Sequence, residues 1–278
     1  MKSIDHYLAI VPDQEAARRT YLRLGFNVRP TARHIEFGST NAVVIFPHSY
    51  LELLHLADAK PLLKEQYAGR EAGLTHVSLT ADSLAAEWTR LECLGYTPGP
   101  EGNARRKVVL PDGSTGETDS SFLYNWKTPN RYLSLFHSEH RIPEMIFIEG
   151  HTDHANGAID IARIVGVSPD PAQDLDYYEK SWGHAAEWWD DTGFGMRGGR
   201  GDRMDILTED AARARYPGLL DDFALGPLGG VPLALHYRVK DRAGTRRFLA
   251  EQGIAVTDVP DGIAVAPADA EGVLLVFE

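Results

Sequence analysis

The sequence predicts an α+β protein: four βαβββ modules paired into two domains, each a curved, mostly antiparallel sheet with outer helices. Three observations predict it. An order of strand, turn, helix and further strands recurs along the chain. Each helix in that order is closed by a glycine. A connector at 138–157, rich in His, Pro, Gly and acidic residues, separates two copies from the other two. The domains are accordingly drawn as residues 1–145, carrying the candidate site, and 146–278, a divergent second copy.

The first module opens with an apolar, partly β-branched strand at 3–11, turns at Pro12 and Asp13, and continues as a helix over 14–24 that Gly25 ends. Extended segments follow at 26–30, 40–47 and 50–56, separated by Gly, Pro and Ser punctuation. The second module repeats this with a strand at 74–80, a helix over 84–94 closed by Gly95, and strands at 107–110, 120–126 and 131–137. A third begins with a strand at 158–167, a Ser168-Pro169-Asp170 turn and a helix over 174–182 before Gly183. The fourth has a strand at 232–239, a helix over 243–252 stopped by Gly253, and strands at 254–256, 263–267 and 273–277.

With 278 residues and 43% hydrophobic side chains, the chain can bury real cores. Its apolar runs are too short to span a bilayer, and the first residues do not form a secretion signal. A single cysteine, Cys93, excludes an intramolecular disulfide and suits a reducing compartment, so a cytoplasmic protein is expected. A net charge of −12 argues against nucleic acid and anionic membrane as partners. The expected partner is a small-molecule substrate, and a homodimer is left open as the assembly.

Paired modules would form a trough, and three residues are placed to meet in it. His6 lies in the apolar run Ile-Asp-His-Tyr-Leu-Ala-Ile-Val, and His76 holds the matching position of the second module. Glu52 sits between leucines on the last strand of the first module, where a lone carboxylate would be expensive without a cation or donors. His6, Glu52 and His76 are therefore expected to hold one divalent ion (Fe, Mn, Ni or Zn) as two histidines and a carboxylate, with coordination positions left open. The alternative for each is structural: a histidine hydrogen-bonded in the core, a glutamate paired to an arginine.

Residues 4–6 through Pro12-Asp13, then Leu24-Gly25-Phe26, His34, Gly38-Ser39-Thr40-Asn41, Tyr50-Leu51-Glu52-Leu53 and His154-Ala155-Asn156-Gly157-Ala158, resemble the glyoxalase-like domain of the vicinal-oxygen-chelate superfamily. The resemblance covers roughly the first 165 residues; beyond them only the module pattern continues. It implies a metal site, and His6, Glu52 and His76 match the first three ligands of glyoxalase I, whose order is His-Glu-His-Glu. Ser134 stands where that enzyme has its fourth glutamate, which counts against lactoylglutathione lyase activity. Ring-cleaving dioxygenases of the superfamily also use two histidines and a glutamate. The expectation is a metal-dependent isomerase, lyase or dioxygenase acting on an oxygen-chelating substrate. The alternative is a non-catalytic binding protein of the bleomycin-resistance type.

Other residues are placed around that site. His34 is the candidate for proton transfer, Ser134 for holding a water or substrate hydroxyl, and Asn41 for a hydrogen bond to a substrate oxygen. Arg105, with Arg106 and Lys107, could attract an anionic substrate from a hairpin. In the second domain Arg163 and Ala234 fall at the positions of His6 and His76, so no second metal site is expected, and His236 and Glu278 are read as surface or edge residues. His137, His140, His151 and His154 are assigned to a solvated linker. Trp182, Trp188 and Trp189 are assigned to packing. The glycine run at 193–198 matches a dinucleotide fingerprint only in letters, since Gly199-Arg200-Gly201-Asp202 cannot open a helix.

Overall fold

The computed structural model describes residues 1–70, 72–125, 131–221 and 224–278, and it contains all four modules. The first runs β1 (Ile4–Ile10), α1 (Gln14–Arg23), β2 (Ala32–Arg33), β3 (Thr40–Ile45) and β4 (Tyr50–His55). A short helix α2 (Pro61–Gln66) leads to β5 (Gly73–Thr80), α3 (Leu84–Cys93), β6 (Glu101–Asn103), β7 (Arg106–Val109), β8 (Thr115–Thr118), β9 (Ser120–Tyr124) and β10 (Ser134–His140). The third comprises β11 (Ala158–Val167), α4 (Pro171–Trp182), β12 (Trp188–Asp190), β13 (Gly193–Arg197), β14 (Arg203–Leu207) and α5 (Glu209–Arg215). The fourth comprises β15 (Val231–Val239), α6 (Arg242–Glu251), β16 (Thr257–Val259), β17 (Gly262–Val265) and β18 (Leu274–Phe277).

The four module helices α1, α3, α4 and α6 start where the sequence supplies a cap. Asp13, Ser83 and Asp170 accept from the backbone N–H three residues on, and Asp241 from the one two residues on. Glycines with positive φ end them, which releases the chain into the next strand. The expected strand at 26–30 is reduced to one bridge between Val28 and Val44, because Pro30 has no N–H to continue the ladder. Trp126, expected to end a strand, lies outside the described residues, as do positions 127–130. The last strand of the second module starts at Ser134 and runs on to His140.

Two eight-stranded sheets result, ordered β2-β3-β4-β1-β5-β10-β9-β6 and β12-β13-β14-β11-β15-β18-β17-β16. In each, two parallel pairs flank a central antiparallel pair, β1 with β5 and β11 with β15, and the other pairs are antiparallel. One hydrophobic core spans both domains: Tyr7, Tyr21 and Phe26 of the first cluster with Tyr177, Tyr178, Trp182, Tyr237 and Phe277 of the second. The buried Tyr178 hydroxyl donates to Leu133 O at 2.9 Å, and the Tyr177 hydroxyl accepts from Leu135 N at 2.8 Å, tying α4 to the back of the first sheet. The sheets thus share their backs; the other face of the first sheet opens into a cleft, whereas that of the second is covered by α5 and the segment after it, with Ala212, Tyr216 and Leu220 packed on Val165, Ala234 and Leu274. Trp182 is in this core, whereas Trp189 is 52% exposed. No helix among the described residues is long and apolar enough to cross a membrane.

Candidate functional site

Strand alternation places the candidate ligands on one face. Leu8 pairs with Glu52 on β4 and with His76 on β5, and His76 pairs with Ser134 on β10. Residues in such a row share a face, and His6, two positions from Leu8, shares it too. A cleft of about 660 Å³ opens there, lined by His6, His34, Asn41, Glu52, Arg106 and His140 among others, with an aromatic wall that includes Phe122, Tyr124 and Phe136.

Glu52 is buried at its centre, 6% exposed. Asn41 Nδ2 donates to Glu52 Oε1 at 2.6 Å. Two imidazole nitrogens face the same carboxylate at distances too long for hydrogen bonds, His6 Nε2 at 3.9 Å and His34 Nε2 at 3.7 Å. His34 is supported from behind by Ser39 Oγ, 2.9 Å from its Nδ1, and burial pushes its pKa down despite the nearby Glu52 charge.

A residue that the pattern did not flag orients His6. The register of β1 against β5 shifts between Ile4 and His6, and this irregularity brings Asp5 beside His6 rather than leaving it on the opposite face. Asp5 Oδ1 lies 2.6 Å from His6 Nδ1, and the same carboxylate meets His140 Nε2 at 2.9 and 3.0 Å. Burial alone would push the Asp5 carboxyl up, but the charges and hydrogen bonds of His140 and His6 outweigh it and hold it well below the usual carboxylate range. An ionised Asp5 requires the proton on His6 Nδ1. In the neutral ring the lone pair is then on Nε2, aimed at Glu52.

Asp5, His6 and His140 are the trio of possible metal-ligating residues whose donor atoms all lie within 4.8 Å of one another among the described residues. His140, which belongs to the group assigned to a linker, is in fact the last residue of β10, its Nδ1 2.8 Å from Ser120 Oγ. Two more of that group are also built in. His137 is fully buried with its Nε2 3.0 Å from Glu87, and His154 bridges Asn27 N and Ile45 O.

His76 shares the face but does not join that trio. It is fully buried, its ring 4.5 Å from that of Tyr67, and neither ring nitrogen has a hydrogen-bond partner among the described residues. Burial, then the Arg70 charge, push its pKa well below the ordinary histidine value, so it is a neutral imidazole. Beside it Ser134 is buried and accepts from Arg70 Nη2 at 2.6 Å, while Arg70 Nη1 donates to Tyr132 O at 3.0 Å. A guanidinium therefore stands at the end of the row where glyoxalase I has a carboxylate. Arg105 pairs with Glu36 at 2.6 Å, and it is the adjacent Arg106 that lines the cleft.

The second sheet repeats the geometry with other chemistry. Val165 pairs with Asp205 as Leu8 does with Glu52, and Arg163 holds the His6 position. Arg163 Nε lies 3.5 Å from Asp205, and Arg215 reaches Asp205 at 3.1 Å and Asp261 at 2.8 Å. His236, read from sequence as a surface or edge residue, is fully buried, held by Glu278 at 3.0 Å and the Tyr216 hydroxyl at 2.8 Å. Its strand is central and not at the sheet edge, which alternation alone does not reveal.

Comparison with known proteins places this architecture. The family model of the glyoxalase-like domain matches residues 4–182. No curated protein matches the sequence. Among solved structures, a hypothetical protein from Staphylococcus aureus is similar at TM-score 0.69 and 11% identity, over 100% of this chain and 99% of its own. A mutant of 4-hydroxymandelate synthase from Streptomyces coelicolor is similar at TM-score 0.58 and 14% identity, over 93% of this chain and 77% of its own. A fusion of a xylose isomerase-like TIM barrel with 4-hydroxyphenylpyruvate dioxygenase is similar at TM-score 0.55 and 13% identity; 99% of this chain matches, spanning 48% of the fusion. At these identities the likeness is one of fold. The family-model match, which spans most of the chain, establishes that the chain belongs to the glyoxalase-like domain family.

Proposed function

We propose that the protein is a metal-dependent enzyme that acts on a small oxygen-bearing substrate in the cleft of the first domain, by isomerase, lyase or dioxygenase chemistry. The observation that carries this reading is the pair His6 Nε2 and Glu52 Oε2, two groups able to ligate a metal, 3.9 Å apart inside a buried cleft. With the His6 ring neutral, two acceptors would face each other in a low-dielectric site, and a cation between them would stabilise both. Imidazoles and a carboxylate suit Fe, Mn, Ni or Zn; His76, on the same face with two buried ring nitrogens that have no partner among the described residues, would have to move towards the pair to complete the set.

His6, Glu52 and His76 are the residues that would hold it. A bound ion would supply Lewis acidity and stabilise negative charge developing on a substrate oxygen. The chain's own groups do the rest. Asp5 fixes the His6 ring and its tautomer. Asn41 holds the Glu52 carboxylate in place. His34, kept neutral by burial and supported by Ser39, presents Nε2 as a proton acceptor. The Ser134 hydroxyl is engaged with Arg70, so this reading gives it no part in proton transfer.

A second reading, a protein that binds a small molecule without chemistry, is favoured by Arg70, whose charge bears on His76. Elemental analysis of the purified protein separates the two. About one equivalent of metal in the wild type, and little in His6→Ala or Glu52→Ala, is the result expected of the enzyme. Absence of metal after divalent ions are supplied overturns it in favour of the binding protein.

A further inference from the structure

Arg106 is only 5% exposed and lines the cleft. Its guanidinium makes no hydrogen bond or ion pair with a described residue. Buried arginines are ordinarily paired, since an isolated charge away from water is expensive. The neighbouring Arg105 shows the ordinary arrangement, bound to Glu36 at 2.6 Å. The backbone presents Arg106 rigidly: its N–H donates to Thr118 Oγ1 at 3.1 Å, and β7 alternates buried with exposed residues so that Arg106 and Val108 turn inward.

In the same lining the rings of Phe37, Phe122, Tyr124 and Phe136 form a continuous wall, with successive centroids 5.5, 5.6 and 5.2 Å apart. The lining of the cleft thus combines a cation unpaired among the described residues with an apolar, aromatic wall. We propose that the ligand of this cleft is a small carboxylic acid with a flat apolar body, its carboxylate bound by Arg106 and its body lying on the aromatic wall. This rests on the reading of the cleft as the binding site and adds the substrate class.

The charge balance selects a monoanion. Arg106 offers one uncompensated positive charge, and Glu52 already places a carboxylate in the same cleft. In the metal-free cleft a phosphate dianion would meet more repulsion from Glu52, with no second unpaired cation among the described lining residues, whereas a carboxylate matches the guanidinium fork in geometry and charge.

The test is calorimetric titration of the full chain, stripped of metal, with phenylacetate, its neutral isostere phenylacetamide, and phenyl phosphate. Phenylacetate should bind saturably and at least about tenfold more tightly than phenylacetamide, the margin of a charge-assisted hydrogen-bonded pair. Arg106→Met should remove that margin, weakening phenylacetate far more than phenylacetamide, and residual phenylacetamide binding shows that the cleft has survived the substitution. Arg106→Lys, which keeps the charge without the fork, should retain part of it and serves if the methionine variant does not fold. Phenylacetate binding that is undetectable, equal to that of phenylacetamide, unaffected in both variants, or weaker than that of phenyl phosphate overturns the proposal. The metal reading fails separately: Arg106-dependent binding of phenylacetate to a protein that takes up no metal would sink the metalloenzyme and leave the carboxylate site standing.

Discussion

His76 gives the sharpest separation of function from stability. It is fully buried, neutral, and has no hydrogen-bond partner among the described residues for either ring nitrogen. Each unsatisfied buried polar group costs about 1–3 kcal/mol. Leucine has a similar volume and carries no polar atoms, and a swap of this kind introduces at most about 1.5 kcal/mol of packing strain. His76→Leu should therefore stabilise the metal-free protein by about 1–2 kcal/mol, a rise in Tm of roughly 2–8 °C for a chain of this size. The assay is thermal and urea unfolding of wild type and variant in chelator, repeated with added Mn or Zn. Wild type should gain stability from the ion by mass action, and the variant should gain little. A variant less stable than wild type in chelator would show that the ring nitrogens are satisfied after all. An equal gain from metal in both would remove His76 from the ligand set.

Three further outcomes follow from the geometry. Asp5→Asn should fold but lower metal affinity by about 10–100-fold, as loss of an orienting partner does, because Asn cannot serve as an anionic acceptor for both His6 and His140; affinity measured by competition with a chromophoric chelator tests it, and unchanged affinity makes Asp5 a packing residue. Glu87 is pushed up by burial, but Arg90, His137 and Lys2 outweigh this and bring its pKa down to about 2. A carboxylate depressed in the folded state contributes stability that is present above its unfolded pKa and lost as pH falls through the folded one. Glu87→Gln should then cost about 1–2 kcal/mol at pH 7, after discounting for partly exposed partners, and much less near pH 2; urea unfolding at both pH values checks it, and a cost that does not change with pH refutes the ionic account. Gly25→Ala should cost about 1–3 kcal/mol or more in urea unfolding, since φ is +86° and a Cβ would lie 2.4 Å from Phe248 Cε1 and 2.9 Å from Asn156 N. A loss below about 0.5 kcal/mol would mean that this contact between the domains yields easily.

Much of this protein is legible in its sequence, because the signals concerned are local. Aspartate and serine caps satisfy the first N–H groups of a helix, and the glycines after α1, α3, α4 and α6 take backbone conformations that side chains resist; four repeats of that grammar spell out the modules. Strand alternation, which has a period of two, likewise assigns His6, Glu52 and His76 to one face. What lies beyond its reach is whatever depends on a break in that period or on a distant partner. An irregularity at Asp5 turns a residue expected on the opposite face towards His6, and His140 reaches it from 135 positions away. The choice between Arg105 and Arg106 rests on which side of a short β7 meets the cleft. Arg70 comes to Ser134 through the loop after α2, a helix too short to show a period. The sequence by itself thus determined the modules and the face that carries the site. Only the tertiary structure decided which charges meet there and that the two domains share one core, because burial and pairing are settled between segments far apart in the chain.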